Sequence, residues 1–217
     1  MQIKRRENLT DQTYDILKKM ILSGDFKPGK VVSINSLSQE LNISRTPLTN
    51  AFQKLELENF VDIIPKQGVI IKPITLKEAR EIYELRAALE SFAAKKSFDF
   101  ITKHHVDWIK NSIKIQETAV KNKDIKNFMS EDIKFHMYLL KIYDNTYFNS
   151  IIKNLYDRAY MLGVKGSHYN NRLKDALEEH KTIYKAILEK NKEKYVKAVE
   201  DNVIKGYINL TGYYNIY

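Results

Sequence analysis

Residues 34 to 71 read INSLSQELNISRTPLTNAFQKLELENFVDIIPKQGVII, and this stretch decides the fold of the N-terminal part of the chain. INSLSQEL makes a helix of about two turns with Leu37 and Leu41 on one side. Asn42-Ile43-Ser44 is a tight connection, after which SRTPLTNAFQKLELENF resumes the helical period through Leu48, Ala51, Phe52 and Leu55. Two short helices about such a turn have helix-turn-helix spacing. The period then changes. Two β-branched runs, Val61 to Ile64 and Val69 to Ile71, flank Pro65-Lys66-Gln67-Gly68, which predicts a hairpin, the wing of a winged helix.

Upstream, Leu9, Ile16, Leu17, Met20 and Ile21 recur at helical spacing, with Thr10 where an N-cap would sit. That helix stops at Ser23-Gly24, DFKPGK has the Pro and Gly of a turn, and Val31-Val32 is a short extended segment. Downstream the composition shifts near residue 74. Residues 75 to 217 hold no convincing strand and no glycine before Gly163, so an all-α bundle of about six helices is expected, over 75–97, 101–122, 124–142, 146–163, 170–190 and 192–212. The expected fold class is mainly α, with two domains: residues 1–74 bind DNA, and residues 75–217 bind an effector and dimerise.

With 43% apolar and 29% charged residues the chain has a globular balance. No stretch approaches the roughly 18 apolar residues of a membrane span, and MQIKRRENLT lacks the apolar core of a signal peptide, so the cytoplasm is the expected location and no membrane partner is expected. Absence of cysteine excludes disulfides, thiolate metal sites and cysteine nucleophiles. The net charge of +9 suits a polyanionic partner, although abundant Lys, Asn, Ile and Tyr also fit the codon bias of an AT-rich genome.

In a helix-turn-helix, residues at the start of the second helix reach base edges in the major groove. Here they are Ser44, Arg45 and Thr46, with Thr49 and Asn50 one turn on. Arg45 can donate two hydrogen bonds to a guanine or hold a phosphate, while Ser44 and Thr46 can cap the helix and bond the DNA backbone. Lys66, Gln67 and Gly68 at the wing tip add further contacts, glycine letting backbone approach closely. The bland alternative is a capped helix with solvated charges.

Residues 9 to 73 resemble the winged-helix domain of the GntR family of bacterial regulators, through SGDFKPGK, SLSQELNISRTPL and LELENFVDIIPKQGVIIKPI. The resemblance implies DNA contacts by Arg45, Thr46 and Gly68. Thr49 departs from it, because the family usually carries an operator-contacting arginine there.

In the second half, SEDIKFHMYLL sets Asp132 and His136 four residues apart, on one face of a helix about one turn from each other. His180 shares a helix side with Leu173, Leu177, Ile183, Tyr184 and Ile187, which turns it inward. Converging carboxylate and imidazole groups hold divalent metals in bundles. Taken singly, Asp132 is equally readable as solvated and each His as a hydrogen-bonded core residue. Residues 77 to 212 resemble the FCD effector domain of one GntR subfamily, through EIYELRAALE, DIKFH and EEHKTIYKAIL. That resemblance implies a metal of the Zn, Ni or Mn class on Asp132, His136 and His180. It places Asn202, a weak neutral ligand, where the family carries its third His, which leaves two readings: a metal held with lower affinity, or a pocket that has lost the metal and binds the effector through hydrogen bonds. It also implies that Arg86 faces the effector pocket, with a salt bridge to Glu90 as the alternative. Arg158 is a further pocket candidate against a solvated surface reading, and Tyr156 and Tyr160 against a core reading. A metal beside an inward arginine suits a small carboxylate effector.

The expected protein is a ligand-responsive transcription regulator, a repressor, acting as a homodimer on double-stranded operator DNA. Two alternatives stand: a metal-dependent enzyme on a helical bundle, and a ligand-independent DNA-binding protein. No His-Glu-x-x-His, P-loop, Gly-x-Ser-x-Gly or dinucleotide fingerprint supports the enzyme.

Overall fold

The computed structural model describes residues 9–166 and 171–214, with side chains up to 211. The chain divides into two compact units, Met1–Pro73 and Ile74–Tyr217.

The first unit runs α1 (Leu9–Ser23), β1 (Val31–Val32), α2 (Ile34–Glu40), α3 (Arg45–Leu57), β2 (Val61–Ile64) and β3 (Gly68–Ile71). Its core is Leu17, Ile21, Leu37, Leu48, Phe52, Leu55, Val61, Val69 and Ile71, the inward positions of the three helices and the wing. Thr10, expected as an N-cap, lies inside α1 and is buried. The expected hairpin is one part of a three-stranded antiparallel sheet of order β1-β3-β2, with Val31 paired to Ile70 and Ile63 to Val69. The extended Val31-Val32 segment is drawn into the sheet by Gly29 N–H donating to Ile71 O (2.8 Å) and Ile71 N–H to Lys30 O (3.3 Å).

The helix-turn-helix connection is held locally. The Ser33 side chain caps α2 by accepting from Ser36 N–H. Asn42 takes the left-handed conformation (φ 51°), and Ser38 Oγ donates to Ile43 O (2.7 Å) across the turn. Pro47 sits in the first turn of α3, where a missing N–H costs no helical hydrogen bond.

The second unit holds α4 (Leu76–Ser97), α5 (Lys103–Lys121), α6 (Ile125–Tyr143), α7 (Thr146–Gly166), α8 (Arg172–Leu188) and α9 (Lys192–Tyr214), with a 3-10 turn at Phe98–Phe100 that the sequence did not suggest. Residue 170, the expected start of the fifth bundle helix, is outside the described residues. Capping boxes start two of the helices, Thr75 with Glu78 on α4 and Thr102 with His105 on α5. Ile109, Phe128, Phe135, Leu177, Ile183, Tyr195 and Val199 form the main core.

Candidate functional site

In the first unit, α3 buries Pro47, Leu48, Ala51, Phe52 and Leu55, and this fixes which side chains it leaves outside. Ser44, Arg45, Thr46 and Asn50 are exposed and Thr49 is half-buried. Gln53, which sequence reasoning passed over, extends the same exposed side one turn further. Ser44 occupies the N-cap position without a capping side-chain bond, so its hydroxyl is not spent on the helix. Lys66 and Gln67 are exposed at the tip of the wing. Gln67 N–H donates to Ile64 O (3.1 Å), closing a turn with Pro65 at its second position and Lys66 at positive φ (65°), the pattern of a type II turn.

Gly68 has a reason within the sheet. Its φ is 125°, and a Cβ there would lie 2.6 Å from the Val32 carbonyl oxygen. The β1-β3 pairing therefore accounts for the glycine without DNA.

In the second unit, Asp132 and His136 of α6 and His180 of α8 converge, each offering a ligand atom within 4.8 Å of the others, all three buried. His180 is fully buried and stacked on Phe135 (centroids 4.2 Å apart). Its Nδ1 lies 2.6 Å from Gln116 Oε1, an acceptor, so the ring proton sits on Nδ1 and Nε2 carries a lone pair. That Nε2 is buried, has no hydrogen-bond partner, and lies 3.5 Å from Asp132 Oδ1. Burial pushes the His180 pKa well below the usual value, and electrostatic interaction with His136, Arg172 and Arg86 pushes the same way. A ring nitrogen and a carboxyl oxygen thus face each other without a hydrogen bond between them, an arrangement a cation satisfies.

Glu90 of α4 stands behind His136, with Oε2 2.6 Å from Nδ1 but off the line of the ring N–H, so the contact is electrostatic rather than a directed hydrogen bond. A carboxylate on that side favours a ring proton at Nδ1, the tautomer that presents Nε2 to a ligand. Arg86 Nε donates to Glu90 Oε1 (2.8 Å), and both side chains are buried. Burial alone would raise the Glu90 carboxyl, but Arg86 and then His136 outweigh it and hold the pKa at about 2. Sequence reasoning missed Glu90 and Gln116 as supports for the two histidines, because each meets its partner only across helices.

A cavity of about 40 Å3 adjoins this cluster, lined among others by Arg86, Asp132, His136, Arg172 and Asn202. The salt bridge to Glu90 and the cavity-facing position of Arg86 therefore coexist. Its guanidinium lies between the rings of Tyr83 (5.3 Å) and Tyr156 (4.9 Å). Asn202 Nδ2 donates to Glu179 Oε2 (2.8 Å). A carboxylate accepts only, so the amide orientation is fixed and Oδ1 is the atom left for another partner.

The other three expected pocket residues do not line this cavity. Arg158 is neither there nor on the surface: it is buried on α7 and donates to Glu78 Oε1 (3.1 Å) at the start of α4. Tyr156 is a core residue whose hydroxyl is buried beside Glu90 without a directed hydrogen bond. Tyr160 packs, partly buried, against the main core. In their place Arg172 and Gly163, Gly166 and Gly206 border the space. A Cβ at Gly163 would lie 2.2 Å from Met129 Cε, so that glycine makes room for the methionine.

Residues 9–71 match the family of bacterial regulatory proteins named gntR, and residues 81–203 match the FCD domain. The chain is 27% identical over 183 residues to the HTH-type transcriptional regulator YdhC of Bacillus subtilis (strain 168), covering 84% of this chain and 82% of that protein. It is 25% identical over 191 residues to the gluconate operon transcriptional repressor of Bacillus licheniformis, covering 86% and 78%. The fold is that of the solved E. coli McbR/YncC, with a TM-score of 0.82 at 20% identity over 95% of this chain and 99% of that one.

Proposed function

Since the chain belongs to the gntR family of bacterial regulatory proteins and carries an FCD domain, it is a DNA-binding transcription regulator and not an enzyme, and we propose that it is a repressor whose helical domain binds a small organic acid through a divalent metal. Asp132, His136 and His180 are the ligands in this reading, with Asn202 Oδ1 as a weak fourth. The observation that carries it is the buried, unpartnered Nε2 of His180 facing Asp132 Oδ1. A bound divalent ion would supply open coordination positions for carboxylate oxygens. Gln116 and Glu90 hold the two imidazoles in the ligating tautomer, and Arg86 adds positive charge beside the incoming acid.

On the DNA side, Ser44, Arg45, Thr46, Thr49, Asn50, Lys66, Gln67 and the Gly68 backbone make the contacts. Arg45 reads a base, and Lys66 neutralises phosphate. The protein acts as a homodimer on a palindromic site, since two copies of one helix-turn-helix read two half-sites. The acid releases DNA by binding one arrangement of the dimer better than the other, with about 1.4 kcal/mol needed for each tenfold change in operator affinity. Among the described residues no helix is long and apolar enough to cross a membrane.

The test is selection of a site from random duplex DNA, followed by gel-shift titration with a panel of small organic acids, with and without a chelator. One palindromic sequence, released by an acid only from metal-loaded protein, is the expected result. Binding that no acid alters in either condition would refute ligand control and support a ligand-independent DNA-binding protein.

A further inference from the structure

The cavity beside the metal-ligand cluster is too small, as it stands, for an organic acid that reaches beyond the metal. About 10–15 Å3 suffices for one water, so some 40 Å3 holds an ion with a water or two. A wall must give way, and the candidates differ in how firmly they are held. Arg86 is 4% exposed, sandwiched by two tyrosine rings and bonded to the equally buried Glu90. Arg172, the first residue of α8, is less enclosed. It makes a two-pronged ion pair with Glu179, Nη1 to Oε1 at 2.9 Å and Nη2 to Oε2 at 3.1 Å, and the two side chains are 13% and 11% exposed.

This pair is a partition. Arg172 lines the small cavity, whereas Glu179 lines a groove of about 460 Å3 beside it, and Asn202 and Asn209 border both spaces. The groove also carries Asp175, Glu178 and Asp201, so Glu179 sits among like charges and has solvent to turn into. Separating the pair joins the cavity to the groove and makes room for a ligand of several carbons.

We infer that Glu179 is a resident stand-in for a ligand carboxylate, and that the effector is a small dicarboxylate: one end meets the metal, and the other takes Glu179's place on Arg172. The inference rests on the metal-held acid proposed above. A fork of two parallel N–H···O bonds is the geometry a free carboxylate makes with a guanidinium, so the exchange replaces one such pair by another and leaves no buried charge unpaired. A monocarboxylate held at the metal leaves Arg172 closed on Glu179 and gains neither the second ion pair nor the space. Displacing Glu179 also releases the Asn202 amide, because Asn202 Nδ2 is bonded to Glu179 Oε2. The same exchange therefore frees the side chain at the position of the weak fourth ligand and uncouples α8 from α9 at this point.

The experiment is calorimetric titration of the full chain, loaded with Zn2+, with malate and with lactate. These share a 2-hydroxycarboxylate and differ by one carboxylate. Wild-type protein should bind malate at least about tenfold tighter than lactate, the scale of a charged hydrogen-bonded contact. Arg172→Gln should erase that difference. Glu179→Gln, which keeps an acceptor for Asn202 but removes the resident charge, should tighten malate and leave lactate unchanged. Tightening is a gain that a damaged fold does not produce, so this variant decides the matter even if Arg172→Gln fails to fold. Equal binding of the two acids, no binding of malate, or a Glu179→Gln variant that weakens malate would overturn the inference. Elemental analysis of the same samples separates the two levels. Metal without malate preference removes the exchange alone, and malate preference without metal removes the metal reading alone.

Discussion

Gln116→Leu removes the acceptor that sets the His180 tautomer and leaves the side-chain volume nearly unchanged. Gln116 and His180 are both fully buried, and Oε1 lies 2.6 Å from Nδ1. In the variant the imidazole has two courses. It can keep its proton on Nδ1 without a partner, at a cost of about 1–3 kcal/mol. Alternatively it moves the proton to Nε2, where Asp132 Oδ1 at 3.5 Å can accept it. The second course suits the metal-free protein, since it supplies a donor to the Nε2 position that otherwise has no partner. It destroys the lone pair that a metal requires. Metal affinity should therefore fall about 10- to 100-fold, the usual consequence of losing such a supporting group. That is about 1.4–2.7 kcal/mol. Stability of the metal-free protein should fall by about 0.5–1.5 kcal/mol, because the new Nε2–H bond offsets the one lost to His180 but not the bond that Gln116 Nε2 donates to Ser112 Oγ (3.3 Å). Competition against a chromophoric chelator measures the affinity, and 15N chemical shifts of the five histidines report the tautomer. Unchanged affinity in a folded variant, or a His180 tautomer that ignores the substitution, would show that Gln116 does not set the ligating form of His180.

Asn202→His should raise metal affinity by restoring an imidazole at the fourth position, read by the same chelator competition, and unchanged affinity would mean that this side chain does not reach the ion. Arg45→Ala should abolish preference for the selected operator while leaving the dimer intact by light scattering, whereas Lys66→Ala should weaken all duplexes alike and lower the salt slope of binding by about 1. Gly68→Ala should destabilise the winged unit by about 1–3 kcal/mol or more, because φ of 125° is strained for alanine and its Cβ would press on Val32 O. Faster hydrogen exchange confined to residues 31–71 checks it, and an unchanged exchange rate would contradict it.

The parts of this molecule legible in its sequence were those fixed by local period. The change from helical spacing at Leu48, Ala51, Phe52 and Leu55 to the β-branched runs of the wing marks the winged helix, and one-turn spacing sets Asp132 above His136. What stayed hidden was set by partners distant in sequence. Val31-Val32 becomes a strand only because β3 returns beside it nearly forty residues later. Arg158 reads as a pocket or a surface residue because nothing near it in sequence announces Glu78, eighty residues away, as its partner. Gln116 is unremarkable on its own helix and Glu90 reads there only as a partner of Arg86; their support of His180 and His136 exists only across helices. Gly68 reads as a DNA-facing glycine at the wing tip, and only its contact with Val32 supplies a packing reason for it.

The most direct test of the central claim is the metal content of protein purified without added metal or a histidine tag, measured beside His136→Ala. Near-stoichiometric divalent metal in the wild type and its loss from a folded His136→Ala is the predicted result, placing the ion on Asp132, His136 and His180. Wild-type protein that takes up no divalent metal even when it is supplied would contradict the account.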